Sequence, residues 1–585
     1  MAAWFPKLLS ATSSSGFRPA DNIRGELPQC IPESFTLSDL LVGAAEVVSI
    51  SNQTSSKKTP IQHHVVLAIL VCLRDASDRI RKQEGKSGND QDSAALRELA
   101  LLVAKAIAPV DEDNTTNSGD DDIITTQDEE DRHRQLVLRY WIVAEPGIKA
   151  LELITKMSVT ADANVLDNEE VLLTLISFAS SSRGTEEDAA LPEVAEQAAA
   201  ILSEQLPSGS RMRDRFIVDV VLQNYLRRLF SKSKPSSITA SGRKAAYSDG
   251  NDDGRQSGLP DDSKETKPWK FTDHRAISVV AWAVDEADEQ LISKHWPLFI
   301  PVLLTLVDDN TTSVRRRGLV ILTKFLAKFP DKTLHDTGLA QVFEEAVFPT
   351  LSYLPSLTPE NDSVQLLVPA FEALRCLARK QSTAAAKSGV TAGKEKENMM
   401  LGKVLREGVF PAYFHAKDHV RIVEVLCQQT GLIIGQMGIH AVKHLKDLIP
   451  MLSAIMTDPF APLSPATLLS ATKALQATLA NCWPRIATAP SSSSPWRDEI
   501  INALILCWLN EHDHETSHPA AADRTIKREL IVSASALAAV LKSVGIDAAE
   551  LVAPLLMTKD SEQQPVAAVL APLFSISAAA GGCRD

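Results

Sequence analysis

Two stretches of the chain repeat one plan, and that plan limits what the chain can fold into. "HWPLFIPVLLTLVDD" (295–309) and "HLKDLIPMLSAIMTD" (444–458) are apolar runs that hold a proline and end in aspartate. Pro301 precedes Asp308 by seven residues and Pro450 precedes Asp458 by eight, and an amphipathic stretch follows each. A second phrase, "EAVFPTLSYL" (345–354), returns 62 residues later as "EGVFPAYFHA" (407–416). The repeated unit is helix A with an internal proline, an acidic elbow, then helix B. Proline costs about 3 kcal/mol inside an isolated helix and bends its axis, so a proline placed alike in successive units predicts a bend that serves stacking. This is the pattern of an α-solenoid of HEAT-like repeats, an all-α fold.

In "LLTLVDDNTTSVRRRGLVILTKFL" (303–326), Val314, Gly318, Ile321, Leu322 and Phe325 fall on one helical stripe. Gly318 gives up about 1 kcal/mol of helix propensity, which predicts close approach of helix A. Thr312 or Ser313 is the expected cap, and Asp308 and Asp309 are assigned to the elbow. Arg315, Arg316 and Arg317 are consecutive, so they fan over about 200° of helix and cannot converge on one ligand. They read as solvated or inter-repeat charges, or as a protein-contact patch.

Helical periodicity recurs over 37–50, 60–83, 92–108, 133–156, 168–180, 189–205, 211–230, 273–293, 295–307, 313–328, 338–353, 363–380, 399–414, 419–437, 440–457, 464–483, 496–510, 522–543 and 547–557. Alternating strand patterns closed by tight turns do not recur. Four polar segments interrupt the helices and are expected to be flexible loops: 111–131, 231–267, 381–398 and 487–495. The first carries ten acidic residues and no basic one. Ser118 before "GDDD" and Thr126 before "QDEE" suit an acid-directed kinase. The expected organisation is an N-terminal helical region (1–230), a linker (231–268), a HEAT-like core (269–485) and a C-terminal helical region (496–585).

The chemistry-bearing patterns are weak. His512, His514 and His518 in "HDHETSH" lack the helical i, i+4 spacing of zinc hydrolases and read as polar-loop histidines. Gly431, Gly435 and Gly438 in "TGLIIGQMG" follow no strand and precede no Lys-Ser/Thr, so close helix packing is the expectation. No GxSxG elbow or CxxC pair occurs. We expect no catalytic residue, cofactor or metal. The seven cysteines are widely spaced and several sit in apolar helical runs, as expected for a reducing compartment, cytosol or nucleus. The net charge of −14 argues against nucleic acid as the main partner. The apolar runs fall short of the roughly 20 residues that cross a bilayer, so no membrane partner is expected. The Ser-rich, acid-poor start leaves a transit peptide as a minor alternative.

The stretch from "HWPLFIPVLLTLVDDNTTSVRRRG" through "TGLAQVFEEAVFPTLSYLPSLTPE" resembles the Tti-two family, closely over 295–380 and loosely to 485. "LSYLPSLTPE" (351–360) is the most specific phrase. The resemblance implies a non-catalytic subunit of the Triple-T cochaperone complex, bound to Tti-one and, through it, Tel-two. It further implies cooperation with the ninety-kilodalton heat-shock chaperone and its R-two-T-P adaptor. The clients it implies are phosphatidylinositol-3-kinase-related kinases of TOR signalling and the DNA-damage response. Interface candidates are Trp296, Pro301, Asp308, Asp309, Arg315, Arg316, Gly318, Phe348, Pro349, Tyr353, Leu354 and Pro355. The competing expectation is another HEAT-repeat adaptor, akin to a nuclear transport receptor or a phosphatase scaffold.

Overall fold

The computed structural model describes residues 35–53, 58–82, 90–108, 143–158, 168–181, 192–233, 265–386, 390–487, 495–517, 524–556 and 566–574, with isolated residues before 35. Among the described residues all regular structure is helical. The chain divides into two compact units, one of described residues up to Thr305 and one from Leu306 onward.

The first unit holds α1 (Leu37–Gln53), α2 (Lys58–Lys82), α3 (Asp90–Ile107), α4 (143–158), α5 (Glu169–Ser181) and α6 (Pro192–Gln205). Next come α7, which runs from Arg211 to Phe230 with widened turns over Phe216–Leu226, and α8 (Arg275–Glu286). Helix α5 packs against α3, α6 and α8. A charged cluster pins α8 at its start. The buried Arg275 donates to both carboxylate oxygens of Asp273 at 2.9 Å, to Glu170 at 2.7 Å and to the Thr174 hydroxyl at 2.9 Å. Burial alone would raise the Asp273 pKa, but the Arg275 hydrogen bonds and charge hold it below its usual value. Burial likewise pushes the neighbouring Tyr225 phenol upward.

Helix α9 (Glu289–Val307) carries the division between the units near its end. The sequence pattern places a helix break at residue 294, but it falls at Ala287–Asp288. Asp288 caps α9 by accepting the Leu291 N–H at 2.7 Å. Helix α9 therefore contains both Pro297 and Pro301, each on its exposed face.

In the second unit α10 (Thr312–Lys328), α11 (Asp331–Thr337) and α12 (Leu339–Val347) lead through a tight 3₁₀ turn, Phe348–Ser352, to α13 (Glu360–Ala386). Then follow α14 (Val390–Lys403), widened turns at Val404–Val409, α15 (Phe410–Ala416), α16 (Val420–Met437), a 3₁₀ segment at Gly438–His444 and α17 (Leu445–Thr457). The described chain ends with α18 (Pro465–Ile486), α19 (Pro495–Ser517), α20 (Arg524–Lys542), α21 (Ala548–Leu556) and α22 (Val566–Phe574). Helices α10, α13, α16, α18 and α20 each pack on the next, making one row. Helices α15, α17 and α19 pack in sequence beside it. Buried threonines in the first row bond carbonyls one turn back, as Thr430 does to Leu426 at 2.6 Å and Thr478 to Ala474 at 2.8 Å, so their hydroxyls cost little inside the core.

Several sequence expectations need correction. The segment 381–398 is largely helical rather than a loop: α13 continues to Ala386 and α14 begins at Val390. Buried Glu397 accepts from Gln436 at 2.8 Å and from Lys394 at 2.9 Å, so polar pairing joins the buried Met400 and Leu401 in holding α14. His512 and His514 lie on α19, not in a loop; His518 is outside the described residues. Helices α11 and α22 were not expected. The expected helix over 338–353 ends at Val347, where Pro349 tightens the chain into the 3₁₀ turn. Residues 111–131, with Ser118 and Thr126, and most of 231–267 and 487–495 lie outside the described residues. By length and composition alone, Glu289–Val307 and Val420–Thr457 are apolar enough to cross a membrane. Each is 56% buried within the protein, as core helices are.

Cys72, Cys376, Cys427, Cys482 and Cys507 are free thiols. Burial pushes Cys427 up to about 12 and Cys482 up to about 11, which keeps both protonated as small core residues.

Candidate protein-interaction surface

The elbow between α9 and α10 is built around Arg315. Its guanidinium donates to the Asp309 carbonyl at 2.9 Å and the Asp308 carbonyl at 3.3 Å, and lies 4.4 Å from the Tyr353 ring centroid. Arg315 is buried, so of the two readings of the basic triplet it takes the inter-repeat one, joining two elbow carbonyls to the Tyr353 ring. Asp309, also buried, accepts the Thr311 N–H at 2.9 Å. Thr311 is the N-cap residue of α10 and no side chain caps there, so the expected cap by Thr312 or Ser313 is not formed. The Thr312 hydroxyl instead donates to Asp362 of α13 at 3.2 Å. Arg316 and Trp296 are half-buried. Gly318 fits as expected: a Cβ there would stand 2.8 Å from the Leu306 carbonyl carbon.

The phrase following α12 supplies the second part. Phe348 is half-buried beneath Lys403, whose ammonium lies 4.6 Å from the ring centroid and donates to Glu344 at 2.8 Å. Leu351 inserts against Gly408, where an added Cβ would meet its Cδ1 at 2.6 Å. The two related phrases, 345–354 and 407–416, therefore touch each other. Pro349 is exposed, while Tyr353, Leu354 and Pro355 are half-buried. The turn that follows has Pro355 and Ser356 at its centre, closed by Leu357 N–H to Leu354 carbonyl at 3.3 Å. Ser356 adopts φ +89°, left-handed backbone that a side chain resists.

Successive elbows are tied side by side. Besides Thr312 to Asp362, His419 lies 3.3 Å from Glu360, Arg421 bonds Asn361, and Thr467 donates to the Val420 carbonyl at 3.3 Å. Asn510 reaches the carbonyls of Thr457 and Asp458 at 3.4 Å. On and beside these elbows stand apolar side chains that sequence reasoning missed. Leu357 is 91% exposed, Phe414 75%, Phe460 73% and Leu463 68%. Their signal was the placement of large apolar residues in or beside turns, "YLPSL", "YFHAKD" and "DPFAPL", where no helical stripe requires them. Among the Gly431, Gly435 and Gly438 positions, only Gly431 makes the expected close contact, 3.4 Å from Ala474 Cα. Gly435 faces open space, and Gly438 is required by its φ of +60°.

These features define a class: an all-helical protein of pairwise-packed helices, with exposed apolar side chains borne on its elbows. The chain belongs to the Tti2 family, whose model matches residues 171–463, half of the sequence. The match starts well before the phrases that carry the resemblance and ends between α17 and α18. A solved structure described as an engineered protein aligns over 91% of this chain and 99% of its own, at 13% identity. Its TM-score of 0.30 gives that likeness no weight.

Proposed function

We propose that this protein is a non-catalytic scaffold subunit of a Triple-T-like cochaperone complex. Family membership supports the reading, because the family implies a subunit of that complex. In this reading the partners are Tti-one and, through it, Tel-two. The assembly acts with the ninety-kilodalton heat-shock chaperone and its R-two-T-P adaptor to stabilise phosphatidylinositol-3-kinase-related kinases, in the cytoplasm and nucleus. The two adjacent rows of helices in the second unit support a HEAT-like repeat array, and such arrays present extended surfaces suited to other proteins.

The observation that carries the proposal is the exposure of Leu357, Phe414, Phe460 and Leu463 on tied elbows. Large apolar side chains grouped on a surface mark interaction sites, since covering each removes apolar area worth about 25 cal/mol per Å². Arg316 and Pro349 are proposed to flank the contact, and Trp296 and Pro301 are proposed as interface residues of the first unit by themselves. Asp308, Asp309, Arg315, Gly318, Phe348, Tyr353, Leu354 and Pro355 are proposed to set the elbow geometry. Ser118 and Thr126 remain proposed phosphorylation sites.

The test is affinity purification of the tagged full chain beside a variant carrying Leu357→Asp, Phe414→Asp and Phe460→Asp. The expected result is retention of Tti-one and Tel-two by the parent and at least tenfold less by the variant, with folding intact by circular dichroism. Depletion of the protein should lower the kinases. Retention of a small GTPase or phosphatase subunit instead, with kinase abundance unchanged, overturns the proposal in favour of a transport or phosphatase adaptor.

A further inference from the structure

A second feature lies on three other segments of the second unit. At Gly402, near the end of α14, the point a Cβ would occupy is ringed by three side-chain nitrogens. His444 Nε2 stands 3.1 Å from that point, Lys443 Nζ 3.2 Å and Arg406 Nη1 3.4 Å. Arg406 comes from the widened turns after α14, and Lys443 and His444 from the 3₁₀ segment before α17. His444 is 3% exposed, and its Nε2 has no hydrogen-bond partner. The Phe410 ring, 6.4 Å away centroid to centroid, packs beside the imidazole. Arg406 and Lys443 are exposed, and among the described residues neither has an ion-pair partner.

Such a grouping is costly unless something compensates it. A buried nitrogen without a partner forfeits about 1–3 kcal/mol. Two cations beside it add repulsion whenever the imidazole is charged. Burial first, then Lys443 and Arg406, push His444 down to about 4, and Asp447 opposes this without reversing it. The missing element is negative charge with several acceptor oxygens. A planar guanidinium from one segment, and an ammonium and an imidazole N–H from another, suit a tetrahedral anion, because each can bind a different oxygen. Glycine at 402 lets the three nitrogens gather this closely, since a Cβ there would press on all of them at 3.1–3.4 Å.

We propose that Arg406, Lys443 and His444, gathered over Gly402, form a binding site for a phosphoryl group. The source is either free phosphate or a phosphate monoester such as a phosphorylated serine. The site is separate from the apolar elbows, so its test does not depend on the function proposed above.

The experiment follows the His444 ring signal by NMR in the full chain with 13C-labelled histidine, the signal being identified by its loss in His444→Gln. Inorganic phosphate and N-acetyl-phosphoserine amide are titrated in separate arms, with chloride at matched ionic strength as control. We expect a saturable shift of His444 and a rise of its titration midpoint by at least one pH unit. In the double variant Arg406→Gln, Lys443→Gln, binding should weaken at least tenfold; both residues are exposed, so the fold should survive. Gly402→Ala should weaken it independently. Saturation by phosphoserine alone assigns the site to an ester; saturation by both assigns it to phosphate generally. The proposal is overturned by an unmoved His444 in both arms, by an equal shift in chloride, or by unchanged binding in the double variant.

Discussion

The guanidinium of Arg315 lies 4.4 Å from the ring centroid of Tyr353, while its Nε donates to the carbonyl of Asp309 at 2.9 Å. One side chain thus closes its own elbow and stacks on the next one. Lysine keeps the charge but cannot bond two carbonyls and stack at once. Arg315→Lys should destabilise the protein by about 1–3 kcal/mol, the worth of charge-assisted hydrogen bonds. Combining it with Tyr353→Leu in a double-mutant cycle should give a coupling of about 0.5–2 kcal/mol. Denaturation midpoints of the four proteins measure this, and additivity would show that the ring contact contributes nothing.

Two helical glycines should respond oppositely to alanine. At Gly318 a Cβ would lie 2.8 Å from the backbone of Leu306, closer than packing allows. The propensity gain of about 1 kcal/mol is outweighed by an overpacking cost of about 1–3 kcal/mol. At Gly435, exposed on α16, nothing stands within 4 Å of the added carbon. Gly435→Ala should therefore raise the melting temperature while Gly318→Ala lowers it. Thermal denaturation of both variants decides the matter, and a shared direction would count against the packing argument.

The contrast between these glycines shows what a sequence exposes. Val314, Gly318, Ile321, Leu322 and Phe325 announced a buried stripe, and all five are buried in α10. Both glycines lie on helices, but only the positions of neighbouring backbones separate a required glycine from a dispensable one. The start of α9 lies at Glu289 rather than at residue 295, and its signal in the sequence is Asp288, whose carboxylate accepts the Leu291 N–H. The first part of α14 is hidden in the sequence because a charged residue, Glu397, is buried there with Lys394 and Gln436 as partners, whereas periodicity registers only apolar burial. The elbow apolar residues were hidden for the opposite reason: Phe414 and Phe460 look like core residues until their exposure is seen.

Ser356 offers a test of stored backbone strain. It occupies the third position of the Leu354–Leu357 turn at φ +89°, where glycine is at ease and serine is strained. Ser356→Gly should relieve about 1–2 kcal/mol of left-handed strain, partly offset by the greater freedom of glycine in the unfolded chain. The net expectation is a small rise in stability, read from the urea midpoint. Ser356→Val, β-branched and ill-suited to positive φ, should lower stability and loosen presentation of Leu357. If the valine variant matched the parent, the strain would have no energetic weight.

His444 should make stability depend on pH in a definite window. Its usual value of 6.5 falls to about 4 in the folded protein, through burial and then the Lys443 and Arg406 charges, against a smaller opposing effect of Asp447. Below pH 6.5 the unfolded chain takes up a proton there that the folded chain refuses. Stability from this residue is therefore complete above about pH 6.5, is lost as pH falls, and stops changing below about 4. Between those limits the slope approaches about 1.4 kcal/mol per pH unit for one proton. Urea unfolding in phosphate-free buffer at pH 4.5, 5.5 and 7 should show a steeper loss for the parent than for His444→Gln, which has no titrating ring. Parallel curves would place the imidazole in contact with water and remove its penalty. Adding phosphate to the parent at pH 5.5 should restore stability, because the bound anion pairs with the protonated ring.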